Sequence, residues 1–309
     1  MKYPVLDGHC DTAVELWRKG ESLAKNSGQI SLAQAAEFPA YVQFFAFCTV
    51  WIKNAQTDEE RFASAMAYFS EQLREHNIPL CRTSADVSAI LQNGGVGAAL
   101  SIEGAEAFGC DPGRLEELAA QGVRMIAPVW NAENALAGSC MTGDGLTAQG
   151  REFVRRAQRA GIIVDVSHSS ERAFWDICEI AEKPIVASHS NAKAVCGHVR
   201  NLTDEQFRAI CDLGGTAGLN LYAPFLNASG HASMDDVRRH LEHFLERDGD
   251  GHLALGGDLD GCDVLPDGMH GLRDYALLER NFENWGFGEQ IVRNLFYQSL
   301  EKVVKLCIM

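Results

Sequence analysis

The chain has 309 residues, 46% of them hydrophobic and 8% aromatic, enough to bury a large core in one decorated domain. Its 27 Lys and Arg against 42 Asp and Glu leave a net charge of −15 with no basic cluster, which argues against nucleic acid and anionic membrane surfaces as partners. Ten singly scattered cysteines without a CxxC pair fit free thiols, and the absence of a signal core or of an apolar run near ~20 residues points to a cytoplasmic protein.

Along the chain one pattern recurs: a short apolar stretch that ends in polar residues and gives way to an amphipathic segment. The stretches are VLDGHCD (5–11), YVQFFAFCTV (41–50), GAALSIEG (97–104), VRMIAPVWN (123–131), GIIVDVSHS (161–169), KPIVASHS (183–190), GTAGLNLYA (215–223) and LALGGDLDG (253–261). Between them, helical patterns cover 57–77, 112–122, 148–161, 169–182, 203–214 and 233–249. Several open on Ser, Thr or Asp with an acidic first turn, and several close on Gly, as helix ends require. Continuous apolar strands alternating with helices imply a parallel sheet covered on both faces. Eight such units predict a (β/α)8 TIM barrel over a single domain, 1–309, although periodicity alone is also compatible with an open doubly wound sheet.

A barrel has a further signature, in that its reacting residues emerge from the C-terminal ends of several strands. Strand one ends in His9 and Asp11, strand three in Glu103, strand five in His168, strand six in His189 and strand eight in Asp258 and Asp260. Residues two apart on a strand share a face, so His9 and Asp11 can bind one cation. Asp7 has the same parity but lies one pleat repeat deeper, which makes it a supporting group, and Cys10 faces the other way as a packed thiol. Imidazoles and carboxylates together suit zinc, with manganese, iron or cobalt fitting the same donors. If Glu103 bridges two ions, they sit roughly 3.5–4 Å apart with a shared water acidified to near neutrality, and the chemistry is metal-assisted hydrolysis.

Any one of these groups has an ordinary explanation as a strand-end cap or a loop carboxylate, and Glu106 reads as a solvated group. The remaining histidines, His76, His198, His231, His240, His243, His252 and His270, read as solvated or structural. His168 and His189 differ, because each directly follows an apolar strand. Their combination with His9, Asp11 and Glu103 is what points to metal.

At these residues the sequence resembles the membrane (renal) dipeptidase family of zinc peptidases, within the amidohydrolase superfamily. The resemblance runs from DGHCD through SIEG, VDVSHSS and PIVASHSNAKAVCGHVRNLTDEQ to GGDLDG and the final helices. It implies that His9 and Asp11 bind one zinc, that Glu103 bridges, and that His168 and His189 hold the second. It further implies that Arg200 anchors the terminal carboxylate of a small dipeptide, for which a bidentate guanidinium is suited, and that Asp258 is the acid/base residue beside a metal-bridging hydroxide. Asp260 is then the group that orients a ligand or loop.

Two positions depart from the family pattern. The histidine that polarises the scissile carbonyl is replaced by Trp130, which offers one N–H and no charge, so that this work falls to zinc or Asn131. A substrate-contacting tyrosine aligns with Phe225, with Tyr222 close by. The resemblance implies a dipeptidase that tolerates a D-residue at the C-terminal position, and it allows a homodimer. The alternatives are an amidohydrolase acting on N-acyl amino acids or cyclic amides, and a catalytically silent barrel that binds metal or peptide.

Overall fold

A computed structural model describes residues 1–308; residue 309, which the single-domain reading includes, lies outside the described residues. Eight parallel strands are laid down in chain order: β1 (Val5–Cys10), β2 (Ala40–Phe47), β3 (Gly95–Glu103), β4 (Val123–Ala127), β5 (Ile163–Val164), β6 (Val186–Ala187), β7 (Thr216–Leu219) and β8 (Leu253–Leu255). They hydrogen-bond in the order β5-β4-β3-β2-β1-β8-β7-β6. Between the two ends of that order, a parallel bridge joins Asp165 to Val186, and the Val166 amide donates to the Val186 carbonyl at 2.7 Å. The sheet is therefore a nearly closed (β/α)8 barrel, as the alternating pattern predicts.

The helices form where capping and amphipathicity place them. Thr57 accepts from the Glu60 amide and Glu60 returns a carboxylate to the Thr57 amide, so that Asp58–Glu75 begins one residue after the cap. Thr203 and Gln206 do the same for Asp204–Asp212. Ala148–Arg159 and Glu171–Ile180 start on Thr147 and Ser170, whose side chains accept amides of the first turn. The helix Thr12–Lys19, which follows β1 immediately, is an element the sequence pattern does not reveal. No helix of the described residues is long and apolar enough to cross a membrane.

The barrel's own interior is filled by Leu6, Val42, Phe44, Ala99, Met125, Ile163, Val186 and Ala254. The C-terminal helix Ser299–Cys307 closes that layer from below with Leu300, Val303, Val304 and Cys307. Burying such side chains is worth roughly 1.5–3 kcal/mol each. With one end plugged by apolar residues, the polar strand ends are left to line the other. All ten cysteines are free thiols, seven of them buried, and Cys10 is packed as expected.

β5 and β6 are shorter than the apolar stretches that announce them. The reason is chemical: the Asp165 carboxylate accepts from the amides of Ser167 and Ser188, both at 2.9 Å, and this local bonding replaces the ladder. Close approach helps as well. A Cβ on Gly218 or Gly256 would lie 1.8 or 1.7 Å from the Ser188 carbonyl oxygen, so only glycine allows β7 and β8 this near to the end of β6.

Candidate functional site

The mouth of the barrel gathers the strand-end residues into one cluster. His9 lies near the end of β1, and its Nε2 is 3.6 Å from Asp11 Oδ2, 3.7 Å from Glu103 Oε2 and 3.8 Å from Asp258 Oδ1. That nitrogen is buried and has no hydrogen-bond partner among the described residues. From the other side, His168 Nε2 lies 2.6 Å and His189 Nε2 3.4 Å from Glu103 Oε1. The two oxygens of Glu103 thus face two different donor sets, His9 with Asp11 and Asp258 on one side, His168 with His189 on the other.

The electrostatics of this cluster are those of a cation site. Burial disfavours charge on His9, yet Glu103, Asp11 and Asp258 outweigh it and raise its pKa to about 10. Burial together with the neighbouring Glu103 and Asp258 raises Asp11 to about 7. Burial also pushes Asp258 up, and burial with the Arg200 charge brings His168 down to about 4. Three carboxylates and one unpartnered imidazole nitrogen crowded in this way are relieved by a divalent cation, which reverses the sign of the local field. Imidazole nitrogens and carboxylate oxygens in open strand-end positions fit zinc and its first-row neighbours, so the donor chemistry fits the metals that the sequence implies.

Outer contacts set the orientation of the rings. His168 Nδ1 donates to Asn131 Oδ1 at 2.9 Å, which leaves Nε2 as its lone-pair nitrogen. His189 Nδ1 bonds Ser188 Oγ at 2.7 Å, and Ser188 Oγ donates to Asp165 Oδ2 at 2.5 Å. Asp258 sits at φ 57° with its Oδ2 taking a 2.9 Å bond from Asn220 Nδ2. Asp165, Ser188 and Asn220 are absent from the residues singled out in the sequence, although Asp165 and Asn220 each stand at the polar end of an apolar run. That position was the available signal.

Asp7 and Asp260 do not enter the cluster. The Asp7 carboxylate accepts from the His9 amide at 2.9 Å, the Tyr275 hydroxyl at 2.6 Å and the Gly257 amide at 3.2 Å, tying β1 to the turn after β8. Asp260 accepts from Thr12 Oγ1 and the Gln29 amide, both at 2.6 Å, and so orients the loop of the twenties. Both carboxylates are occupied by backbone amides and hydroxyls around the cluster. Glu106 is not a solvated group: it is half-buried, one of its carboxylate oxygens is buried without a partner among the described residues, and burial raises its pKa.

Arg200 is 6% exposed and forms no salt bridge among the described residues; its Nε is buried without a partner, while Nη2 reaches His189 Nε2 at 2.6 Å. Its guanidinium lies 5.5 Å from the centre of the Phe225 ring. Asp204, the nearest carboxylate along the chain, is taken by His243 and Arg247. A buried guanidinium without a carboxylate partner has the charge and geometry to receive an anionic group. Trp130 is half-buried with its ring 6.2 Å from that of His168, and Tyr222 packs edge-on against Phe225 at 4.9 Å. A cleft of about 440 Å³ runs outward from His168 and Arg200 past Cys140, Trp175, Lys193 and Val199.

The family of membrane dipeptidases, peptidase family M19, matches residues 1–307 of the chain. An uncharacterized protein from the pqqA 5' region of Klebsiella pneumoniae is 35% identical over 250 residues, covering 76% of this chain and 92% of that protein. An uncharacterized dipeptidase of Schizosaccharomyces pombe is 30% identical over 76% of this chain and 61% of its own length. Among solved structures, a metallo peptidase from Rhodobacter sphaeroides liganded with a phosphinate mimic of the dipeptide L-Ala-D-Ala superposes with a TM-score of 0.89 at 28% identity, covering 99% of both chains. The M19 metallo peptidase named dipeptidase AC gives the same TM-score at 29% identity, over 100% of this chain and 99% of that one.

Proposed function

Because the chain belongs to the membrane dipeptidase family, peptidase family M19, we propose that it is a binuclear zinc dipeptidase, one catalytic barrel domain over 1–309, that hydrolyses small dipeptides and accepts a D-residue at their C-terminal position. His9, Asp11 and Glu103 would hold one divalent cation and Glu103, His168 and His189 the second, and a pair bound there supplies an acidified water and a polarised amide carbonyl. The observation that carries the substrate class is Arg200: a buried guanidinium with an unpartnered Nε, next to that donor set, calls for an anionic group on the substrate.

The chain's own residues divide the remaining work. Arg200 takes the terminal carboxylate and so fixes the peptide bond over Glu103. Asp258, steadied by Asn220, accepts the proton of the attacking water and returns it to the departing amine nitrogen. Trp130 walls the pocket beside His168, while Asn131 steadies that ring and, with Tyr222, stands at the mouth as a substrate contact. Tolerance of a D-residue is supported by the Rhodobacter sphaeroides relative, liganded with a mimic of L-Ala-D-Ala, and by the open cleft beyond Arg200.

The test is metal analysis of the purified protein together with a dipeptide library varied in chirality at both positions, alongside N-acyl amino acids and cyclic amides. Two zinc ions per chain and release of free amino acids from L,D- and L,L-dipeptides are expected. A two-zinc protein that leaves every dipeptide intact would overturn the proposal, and turnover confined to the other amides would reassign the substrate.

A further inference from the structure

β2 brings a donor to the mouth that none of the ligand assignments uses. The strand ends at Phe47, and the next residue, Cys48, is 2% exposed. Its Sγ, a carboxylate oxygen of Asp11 and a carboxylate oxygen of Glu103 lie within 4.8 Å of one another. A thiolate binds zinc at about 2.3 Å and a carboxylate oxygen at about 2.0–2.2 Å, so in a tetrahedral shell these donors lie about 3.5–3.7 Å apart. Atoms already within 4.8 Å of one another reach that spacing by closing in by at most about 1 Å around an ion. A second observation marks the same spot independently: His9 Nε2, buried and without a hydrogen-bond partner among the described residues, is 3.6 Å from Asp11 and 3.7 Å from Glu103. Asp11 and Glu103 each lie near both the His9 nitrogen and the Cys48 sulfur, and an ion seated on the two carboxylates would draw those two donors together.

We propose that Cys48 is a thiolate ligand of the cation held by His9, Asp11 and Glu103, giving that ion a mixed nitrogen, oxygen and sulfur shell while its neighbour, at His168 and His189, keeps nitrogen and oxygen only. The proposal rests on the two-cation reading above. On binding, the S–H bond breaks, the metal–sulfur bond forms and the thiol proton leaves to solvent. No redox partner is involved. Of the other cysteines near the cluster, Cys10 is packed in the apolar layer behind β1, and Cys262 stands beside Asp258 but shares no compact three-donor set with the carboxylates among the described residues. A soft thiolate in one shell makes the two positions unequal, favouring zinc or cobalt over manganese at the His9 position.

The experiment loads the full chain with Co²⁺ and records the near-ultraviolet thiolate-to-cobalt charge-transfer absorption, with metal content measured on the same samples. The band is expected in the wild type and in Cys262→Ser, and is lost in Cys48→Ser at unchanged cobalt stoichiometry, where selectivity for zinc over manganese falls roughly tenfold or more. X-ray absorption on the zinc-loaded wild type needs no variant and is expected to show a sulfur shell at about 2.3 Å. Two bound cobalt ions without the band, a band that survives Cys48→Ser, or a zinc spectrum without sulfur overturns the thiolate assignment and leaves the dipeptidase reading standing. Failure to bind metal at all overturns both.

Discussion

Asp165 fixes the tautomer of His189 without touching it. The Ser188 hydroxyl donates to the Asp165 carboxylate at 2.5 Å, so the same oxygen must accept from His189 Nδ1 at 2.7 Å, and the lone pair of the ring is left on Nε2, facing Glu103. Asp165→Asn inverts this chain of donors. A carboxamide can donate to Ser188, the hydroxyl then donates to Nδ1, and Nε2 becomes protonated. Asp165→Asn is therefore expected to weaken binding of the second metal by on the order of 10–100-fold, and more than Ser188→Ala, which removes the relay without reversing it. Competitive metal titration of the two variants measures this, and equal losses would argue against the relay.

Asp258→Asn tests the proton shuttle. The φ of 57° at this position is one that asparagine adopts readily, so the backbone is spared. Turnover of a dipeptide is expected to fall by about 10²–10⁴ while two metals stay bound. Asn220→Ala, which frees Asp258 Oδ2, should cost less and shift the pH profile of kcat/KM. An unchanged rate in Asp258→Asn would remove the residue from the mechanism.

The candidate site was legible wherever a polar donor closes an apolar run, because the hydrophobic pattern fixes the strand and the strand fixes the mouth. His9, Glu103, His168 and His189 are all of this kind. Legibility stopped where side-chain chemistry overrides the pattern. The period-two argument for Asp7, His9 and Asp11 is interrupted by a register shift between Asp7 and Cys10, and the Asp7 carboxylate turns to backbone amides instead. The relay through Ser188 joins two strands distant in sequence, which no local spacing encodes. Cys48 sits among aromatic and aliphatic residues and reads as one more core position; the pairing of β2 between β1 and β3 is what brings its sulfur beside Asp11 and Glu103.

Arg200 offers a sharper test of substrate class than a substrate panel alone. Charge-assisted hydrogen bonds to a carboxylate are worth about 1.5–3 kcal/mol, so Arg200→Lys, which keeps the charge and loses the fork, is expected to lower kcat/KM roughly 10–100-fold, mostly through KM. A dipeptide amide, lacking the terminal carboxylate, should be equally poor with both proteins. If the amide loses as much as the free acid on substitution, Arg200 supports the fold of the site and does not read the carboxylate.

His240 makes stability depend on pH at a distance from the metal cluster. It is fully buried, accepts the Ala192 amide on Nδ1 at 3.1 Å and donates from Nε2 to the Leu226 carbonyl at 3.0 Å, so the native state holds it neutral. Burial lowers its pKa from 6.5 to about 4. The unfolded chain therefore takes up a proton below pH 6.5 that the native chain refuses, and stability is full above that pH and is lost as pH falls from 6.5 through 4. Linkage puts the loss at about 3 kcal/mol by pH 4. His240→Asn keeps an acceptor for Ala192 and cannot titrate. It should be less stable than the wild type at pH 7, by roughly 1 kcal/mol for the bond to Leu226, and its disadvantage should shrink and reverse on acidification. Urea unfolding of both proteins between pH 7 and 4.5 checks this, and parallel curves would show that folding leaves the His240 pKa where it is in the unfolded chain.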